Sequence, residues 1–577
     1  MMVRPNSRKL TILAQDPSVR INGRLAFSQV EIPNEVLSDG PWGHRVKVVD
    51  YDASAGVLYS PRSFGRDEEG QLLDPFAPPR KMSAAQRKTW EANTLADPRF
   101  HAQHVYAIVM RTLARFEFAL GRRVSWGFPG HQINVAPHAF CEANAYYSEE
   151  DRALLFGYFP ASKPGEFVFT CLSHDIVAHE TTHALLDGLR DSFTNPSTPD
   201  QAAFHEGFAD VVALLSVFSL PEMVEAALCA TGKVPQPGTH SRLIPQSAVT
   251  RDAIQDSLLL GLAEEFGAQL GSARASALRR SVELKPDRKL LSSAKYQEEH
   301  DRGEVFSAAM LRAFLDLWLK RIAALGTFDG DKYNLELVVE EGVKAADHLL
   351  TMSIRALDYC PPIDLTFGDY LAALLTADAE TVPGDQRGYR AVVRKSFHGY
   401  GIDPPKACTD PATGQWKPFD DKTSIAYNRT HYDSMLHSKE EVFRFIWENR
   451  DALRLNDLGY MYVESVRLSV RQGPDGFFLR ETVCEYVQVL RTFGAELEAV
   501  LGLKRPKDMP TNASLTVYGG GTLIFDEYGR IKYHIEQRLD EAKRQSTRIE
   551  YLWRRGLFDT PKDARNRFAN MHLHRVL

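Results

Sequence analysis

The sequence predicts an α+β fold, with strands and helices segregated along the chain. Three observations predict it. Up to about residue 90, short alternating segments such as LTILAQ and HRVKVVDYD are separated by Gly-Pro turns. From Asp97 to about Ile402, long runs of helical period dominate. Beyond that, YVESVRLSVRQGPDGFFLRETVCEYVQVL and SLTVYGGGTLIFDEYGRIKYHI read as two hairpins, turned at Gly473–Gly476 and Asp526–Gly529.

In order, residues 1–92 form an N-terminal β-rich region that ends in the Pro-rich, charged stretch DEEGQLLDPFAPPRKMS. Residues 93–402 form the central domain. It opens with a helix, HAQHVYAIVMRTLARFEFALG, stopping at Gly121, and the strand-like pieces RVSWGF, INVAPHAF, NAYYS and ALLFGYF follow. Two apolar helices come next, CLSHDIVAHETTHALLDGL and AFHEGFADVVALLSVF, and most of 250–400 is helical by pattern. Residues 403–577 form a C-terminal α+β domain containing the helix KEEVFRFIWENRDAL. Gly519 to Gly521 suit a bulged strand better than a phosphate loop, because no helix start follows them. The interspersed charges after Arg530 suit a solvated helix.

Composition excludes several classes. The 577 residues are 44% hydrophobic and 25% charged, with net charge -6, ordinary for a globular protein and unsuited to binding nucleic acid or an anionic membrane. Six scattered cysteines with no Cys-x-x-Cys pair exclude a disulfide scaffold and a cysteine-based zinc site. The N-terminus has no apolar signal core, and no run of about 18 apolar residues occurs. A cytoplasmic protein is expected, with export by a signal-independent route left open.

The chemistry concentrates at His179-Glu180-Thr181-Thr182-His183. Four residues apart on a helix, His179 and His183 project from one face. Each can give a nitrogen to one zinc ion at about 2.0–2.1 Å. Glu180, beside the first ligand, is placed to act as general base without taking a coordination position. A five-letter pattern recurs by chance on solvated helices, but the flanks here are apolar: Ile176, Val177 and Ala178 before, Ala184, Leu185 and Leu186 after. Buried polar groups need partners. Glu206, on the second apolar helix, can complete a His-His-Glu set and leave a fourth position for water. Asp210, one turn further, can accept a ligand histidine's other N–H, and His205 adjoins the third ligand.

These motifs resemble the thermolysin-like metallopeptidases, within the gluzincins. DIVAHETTHALLDGL is similar to the family's active-site helix, Asp175 and Asp187 included, and HEGFAD to its second zinc helix. Asn144-Ala145-Tyr146-Tyr147 followed by LLFGY resembles the edge strand that takes up peptide substrate as an added strand. HDRGEVFSAAMLRAF resembles the strand-to-helix segment beside the zinc, and DLTFGDYLAALLTAD and SFHGYGI the closing helices. The likeness spans about Asp97 to Ile402 and is closer to multi-domain relatives than to the secreted members. It implies a two-lobe core, with a β-rich lobe at about 97–170 and a mainly helical lobe at about 200–402 meeting at an active-site helix over about 172–189. It also implies one Zn2+ per chain on His179, His183 and Glu206, with Asp210 orienting His179 and with Asn144 and the Ala145 backbone holding substrate. The pattern departs from the family's, first in a longer gap between His183 and Glu206. No tyrosine lies between His183 and Glu206, where the family keeps its oxyanion donor. The family's second donor histidine is not in register; His300 is nearest, with Tyr296 and Arg302 beside it. Val217 stands where an acidic calcium ligand is expected, so calcium is not expected here.

Three readings follow. One is a zinc endopeptidase acting on peptide or protein substrates, with Glu180 as general base and His300 or Tyr296 at the oxyanion, Arg302 contacting substrate. Another is a zinc-binding scaffold of the same fold, suggested by the missing tyrosine. The third is a zinc hydrolase with a non-peptide substrate. The intact Glu180 and the NAYY segment favour the first. Sequence does not set the oligomeric state.

Overall fold

The computed structural model describes residues 6–556, apart from 18, 22, 69, 80, 162–164, 191–192, 194–196, 230–241, 256–280, 282, 421 and 474–475. The tip of the hairpin predicted at Gly473–Gly476 therefore lies partly outside the described residues. The protein is a mixed α+β fold.

In the N-terminal region, β1 (Ser7–Leu13) and β2 (Phe27–Pro33) pair antiparallel, and β3 (Val46–Val48) follows. Helix α1 spans Ala84–Ala96, and α2 runs over Pro98–Leu120. The bounds of α2 follow from local chemistry. Asp97 caps its N-terminus through the Arg99 N–H, Pro98 occupies the first turn, and Gly121 closes it at φ 66°. Next come β4 (Ile133–Phe140), β5 (Ala145–Ser148), β6 (Ala153–Pro160) and β7 (Phe167–Phe169). Strand β6 pairs parallel with β4 and antiparallel with both β5 and β7, while β3 joins the far edge, parallel to β4.

The helical part comprises α3 (His174–Leu189), α4 (Pro199–Phe218), α5 (Pro221–Cys229), α6 (Glu299–Ile322), α7 (Leu335–Arg355), α8 (Phe367–Thr381) and α9 (Tyr389–Gly399). Among the described residues, no single helix is long and apolar enough to cross a membrane. After α10 (Lys439–Glu448), β8 (Tyr460–Gln472), β9 (Phe478–Phe493), β10 (Ser514–Phe525) and β11 (Ile531–Gln537) form an antiparallel meander, followed by α11 (Ala542–Arg554). Alternation at the end of β10 splits its side chains: Ile524 joins the main core, while Leu523 and Phe525 face α10.

Several sequence expectations need correction. The 92/93 boundary falls inside α1, and β3 belongs to the sheet built by β4 and β6. One continuous core runs from Leu10 across residue 92 to Ile402 and takes in Trp416, Ile524 and Ile535, while two further clusters, around Phe445 and around Leu497, lie wholly within 403–577. RVSWGF is not a strand. Its alternation reflects one buried face, Val124, Trp126 and Phe128, packed without a partner strand. Gly519–Gly521 carry no bulge and pair in register with Tyr486–Gln488. A Cβ at Gly520 would meet the Tyr486 carbonyl, so close packing explains glycine there. The helix after Arg530 is not merely solvated, since Arg544 and Arg548 of α11 both bind the buried Asp364.

Two buried carboxylates make stability pH-dependent. Burial raises Asp369 from 3.8 to about 6, against hydrogen bonds from Thr366, and raises Asp378 to about 6, against Arg390. A carboxyl raised in the folded state contributes stability that is fully present below its unfolded value of 3.8 and is lost as pH rises through about 6. Asp369→Asn should therefore flatten the decline of the urea midpoint between about pH 4 and pH 6.5. An unchanged slope would show that Asp369 does not titrate in this window.

Candidate metal centre

Helix α3 packs against α2, α4 and strand β5. It starts after Ser173, with Asp175 in its first turn, where a carboxylate favours the helix N-terminus. It ends at Arg190, where the Arg467 guanidinium of β8 donates to the Leu189 carbonyl at 2.6 Å. Thr181 and Thr182 satisfy themselves on the Val177 and Ala178 carbonyls. That leaves the i, i+4 pair of histidines as the chemistry on the face toward α4. Thr198 caps α4 through the Gln201 N–H, and Pro199 opens its first turn.

His179 Nε2 and His183 Nε2 lie 2.8 Å apart. Glu206 reaches them at 3.7 Å from His179 and 3.6 Å from His183. All three residues are buried. His179 Nδ1 faces the Asp210 carboxylate at 2.9 Å, which fixes the proton on Nδ1 and leaves Nε2 bare. His183 Nδ1 meets His205 Nδ1 at 2.7 Å, so His205 orients the second imidazole. With the proton of His183 on Nδ1, acceptor atoms converge on one point, an arrangement that a cation relieves. Ligands of a tetrahedral zinc at about 2.0–2.1 Å stand about 3.3 Å apart. The carboxylate separations are near that value, and a slight parting of the imidazoles completes the fit. The chemistry of the set, two imidazoles and a carboxylate, suits zinc.

Glu180 is fully buried, and its Oε2 accepts the Tyr147 backbone N–H at 3.1 Å. The Tyr147 hydroxyl donates to Asp187 at 2.7 Å, fastening β5 to the same helix at two points. Among the described residues, β6 is the one partner strand of β5, whose other edge faces α3. The Asn144 side chain accepts from the Ala145 N–H at 2.9 Å, at the start of this edge.

His300 is not a solvent-facing loop residue. It sits in the first turn of α6, with Nε2 3.7 Å from Glu206 and Nδ1 2.7 Å from Glu298. Two glycines bring it there. Gly303 of α6 lies so close to Gly207 of α4 that a Cβ on Gly207 would stand 2.9 Å from the Gly303 carbonyl. Burial works to raise the Glu298 carboxyl, but the hydrogen bond and charge of His300 carry it down to about 2. Glu298 was missed in the sequence; its signal is an acid two residues before His300, at a helix start.

Two other predicted residues are engaged elsewhere. The Tyr296 ring is buried in the main core, with the Lys295 ammonium 5.1 Å from its centroid. Arg302 donates to Asp200 at 2.6 Å and to the Leu291 and Tyr296 carbonyls. It joins the starts of α4 and α6. The segment from His300 is helical from Glu299 and follows a 3-10 turn, Ala294–Gln297, in place of the expected strand. Compared with known proteins, the sequence matches no protein family and no curated relative.

Proposed function

We propose that the protein is a zinc-dependent endopeptidase built like the thermolysin-like enzymes, with α3 between the β5-bearing sheet and the helical part. The observation that carries this reading is the convergence of His179, His183 and Glu206, with Glu180 beside them and held by the edge of β5. A structural zinc site has no use for that carboxylate. Zinc held by these three ligands would supply Lewis-acid polarisation of the scissile carbonyl and a more acidic water. Glu180 takes the proton from the attacking water and returns it to the leaving amine. The Tyr147 N–H fixes the Glu180 carboxylate during the transfer. The edge of β5 that faces α3, from Asn144 and Ala145, takes the substrate as an added extended strand. His300, held by Glu298, donates to the carbonyl oxygen as its negative charge grows.

His300→Ala should keep its metal and lose about 10²-fold in kcat, since one oxyanion donor supplies about 3 kcal/mol. Activity equal to the parent's would remove His300 from the mechanism. The reading as a whole is tested by metal analysis with a peptide-library digest. The parent should bind zinc and cleave peptides, and His179→Ala should lose both.

A second reading, zinc binding without turnover, is favoured by the full burial of Glu180 and His183. No hydrolysis by the zinc-loaded parent across the library would establish it over the first.

A further inference from the structure

A second cluster of ligand-type side chains shares no residue with the first. His101 of α2, His138 of β4 and Cys171, in the turn Thr170–Leu172 leading to α3, bring one ligand atom each to within 4.8 Å of one another. His101 and Cys171 are buried, and so is His138. The Phe169 ring covers both imidazoles, at 4.8 Å from His101 and 5.3 Å from His138.

The outer hydrogen bonds of this pair fix its protons. His101 Nε2 lies 2.7 Å from the Leu95 carbonyl, which only accepts, so Nε2 carries the hydrogen. His138 Nδ1 lies 2.8 Å from Asp50, a carboxylate also ion-paired with Arg62, so Nδ1 carries the hydrogen there. The inner atoms, His101 Nδ1 and His138 Nε2, are then two bare lone pairs facing each other at 2.8 Å. Two acceptors at that distance repel unless a positive centre joins them. A shared proton would place an imidazolium under Phe169 beside a carboxylate whose charge Arg62 already matches. A metal ion satisfies both lone pairs at once and gains a third ligand in Cys171. The outer partners, a backbone carbonyl and a carboxylate, are those that metal-bound imidazoles keep.

We propose that His101, His138 and Cys171 form a second, buried site for a thiophilic ion, Zn2+ or Cu+. Soft thiolate with imidazole selects these ions. On binding, the Cys171 thiol releases its proton to solvent and ligates as thiolate. The ion would tie α2, β4 and the entry to α3 together, apart from any role in catalysis.

The test uses the full chain, stripped with a chelator and reloaded with Co2+. A thiolate ligand gives cobalt a strong near-ultraviolet charge-transfer band, which the first cluster, lacking sulfur, cannot produce. The band should appear in the parent and in His179→Ala and vanish in Cys171→Ser. Zinc-loaded parent should hold about two ions per chain, and Cys171→Ser and His179→Ala about one each. Competition between Zn2+ and Cu+ against chromophoric chelators identifies the preferred ion. One ion per chain in the parent, with no sulfur band, overturns the proposal in favour of the shared proton. That readout needs no variant to fold.

Discussion

Glu180→Gln is expected to lose about 10²–10⁴-fold or more in kcat while its zinc content stays at the parent level. The substitution keeps the size of the side chain and leaves His179, His183 and Glu206 untouched. It removes only the capacity to take a proton. The amide can still present its oxygen to the Tyr147 N–H, which now holds Oε2 at 3.1 Å, so β5 and the substrate edge stay in place and KM should change little. Kinetics on one cleaved peptide, with metal analysis of the same preparation, checks both halves. Parent-level activity in Glu180→Gln would refute the peptidase mechanism. Lost activity together with lost zinc would mean that the variant disturbed the ligands and left the base untested; Glu180→Asp, which keeps the charge and withdraws it, then separates the two.

The largest stability effect is expected at Asp358. This buried carboxylate receives both Arg122 guanidinium nitrogens at 2.6 Å and also binds Arg471 of β8. Arg471 continues to Glu481 at 2.6 Å, and Glu481 accepts from Lys532 and Tyr359. Burial works to raise the Asp358 carboxyl, but the two guanidinium groups hold it well below the usual carboxylate range. Asp358→Asn keeps the shape and leaves two buried cations facing a neutral amide, which should cost about 3–5 kcal/mol. Urea unfolding at neutral pH reads this loss directly. A group with a depressed value contributes above its unfolded pKa and loses that contribution as pH falls through the folded one. The gap between variant and parent should therefore narrow only in strong acid. A loss under about 1 kcal/mol would mean that the network relaxes around the missing charge.

Local chemistry made much of this readable. Gly121 ends α2 in the sequence as in the structure, while the Asp97 cap and Pro98 start it three residues before the expected His101. The apolar flanks of His179 and His183 announced a buried helix, and Glu206 and Asp210 fall where one turn of α4 puts them. The misreadings share one physical cause, contacts between residues distant in sequence. Ser125 and Trp126 lie against Gly188 of α3, so a helix crossing, and no partner strand, buries one face of RVSWGF. The glycine contact that draws α6 onto α4, and His300 toward Glu206, likewise joins distant residues, 207 and 303. The cluster of His101, His138 and Cys171 leaves no local trace at all, since three separate elements supply it.

The caps that β8 provides join the ends of two helices to a distant part of the chain. Ser469 donates to the Leu120 carbonyl at the end of α2, and Arg467 to Leu189 at the end of α3. These partners lie 349 and 278 residues downstream of the carbonyls they close. Before β8 arrives, then, α2 already has Gly121 and a bond from the Arg122 guanidinium to the Leu120 carbonyl, whereas the Leu189 carbonyl of α3 lacks the Arg467 cap. Contacts of such long range close slowly, because the intervening loop must be ordered before they contribute. The histidine-bearing helix thus gains this C-terminal cap only once the hairpin is in place.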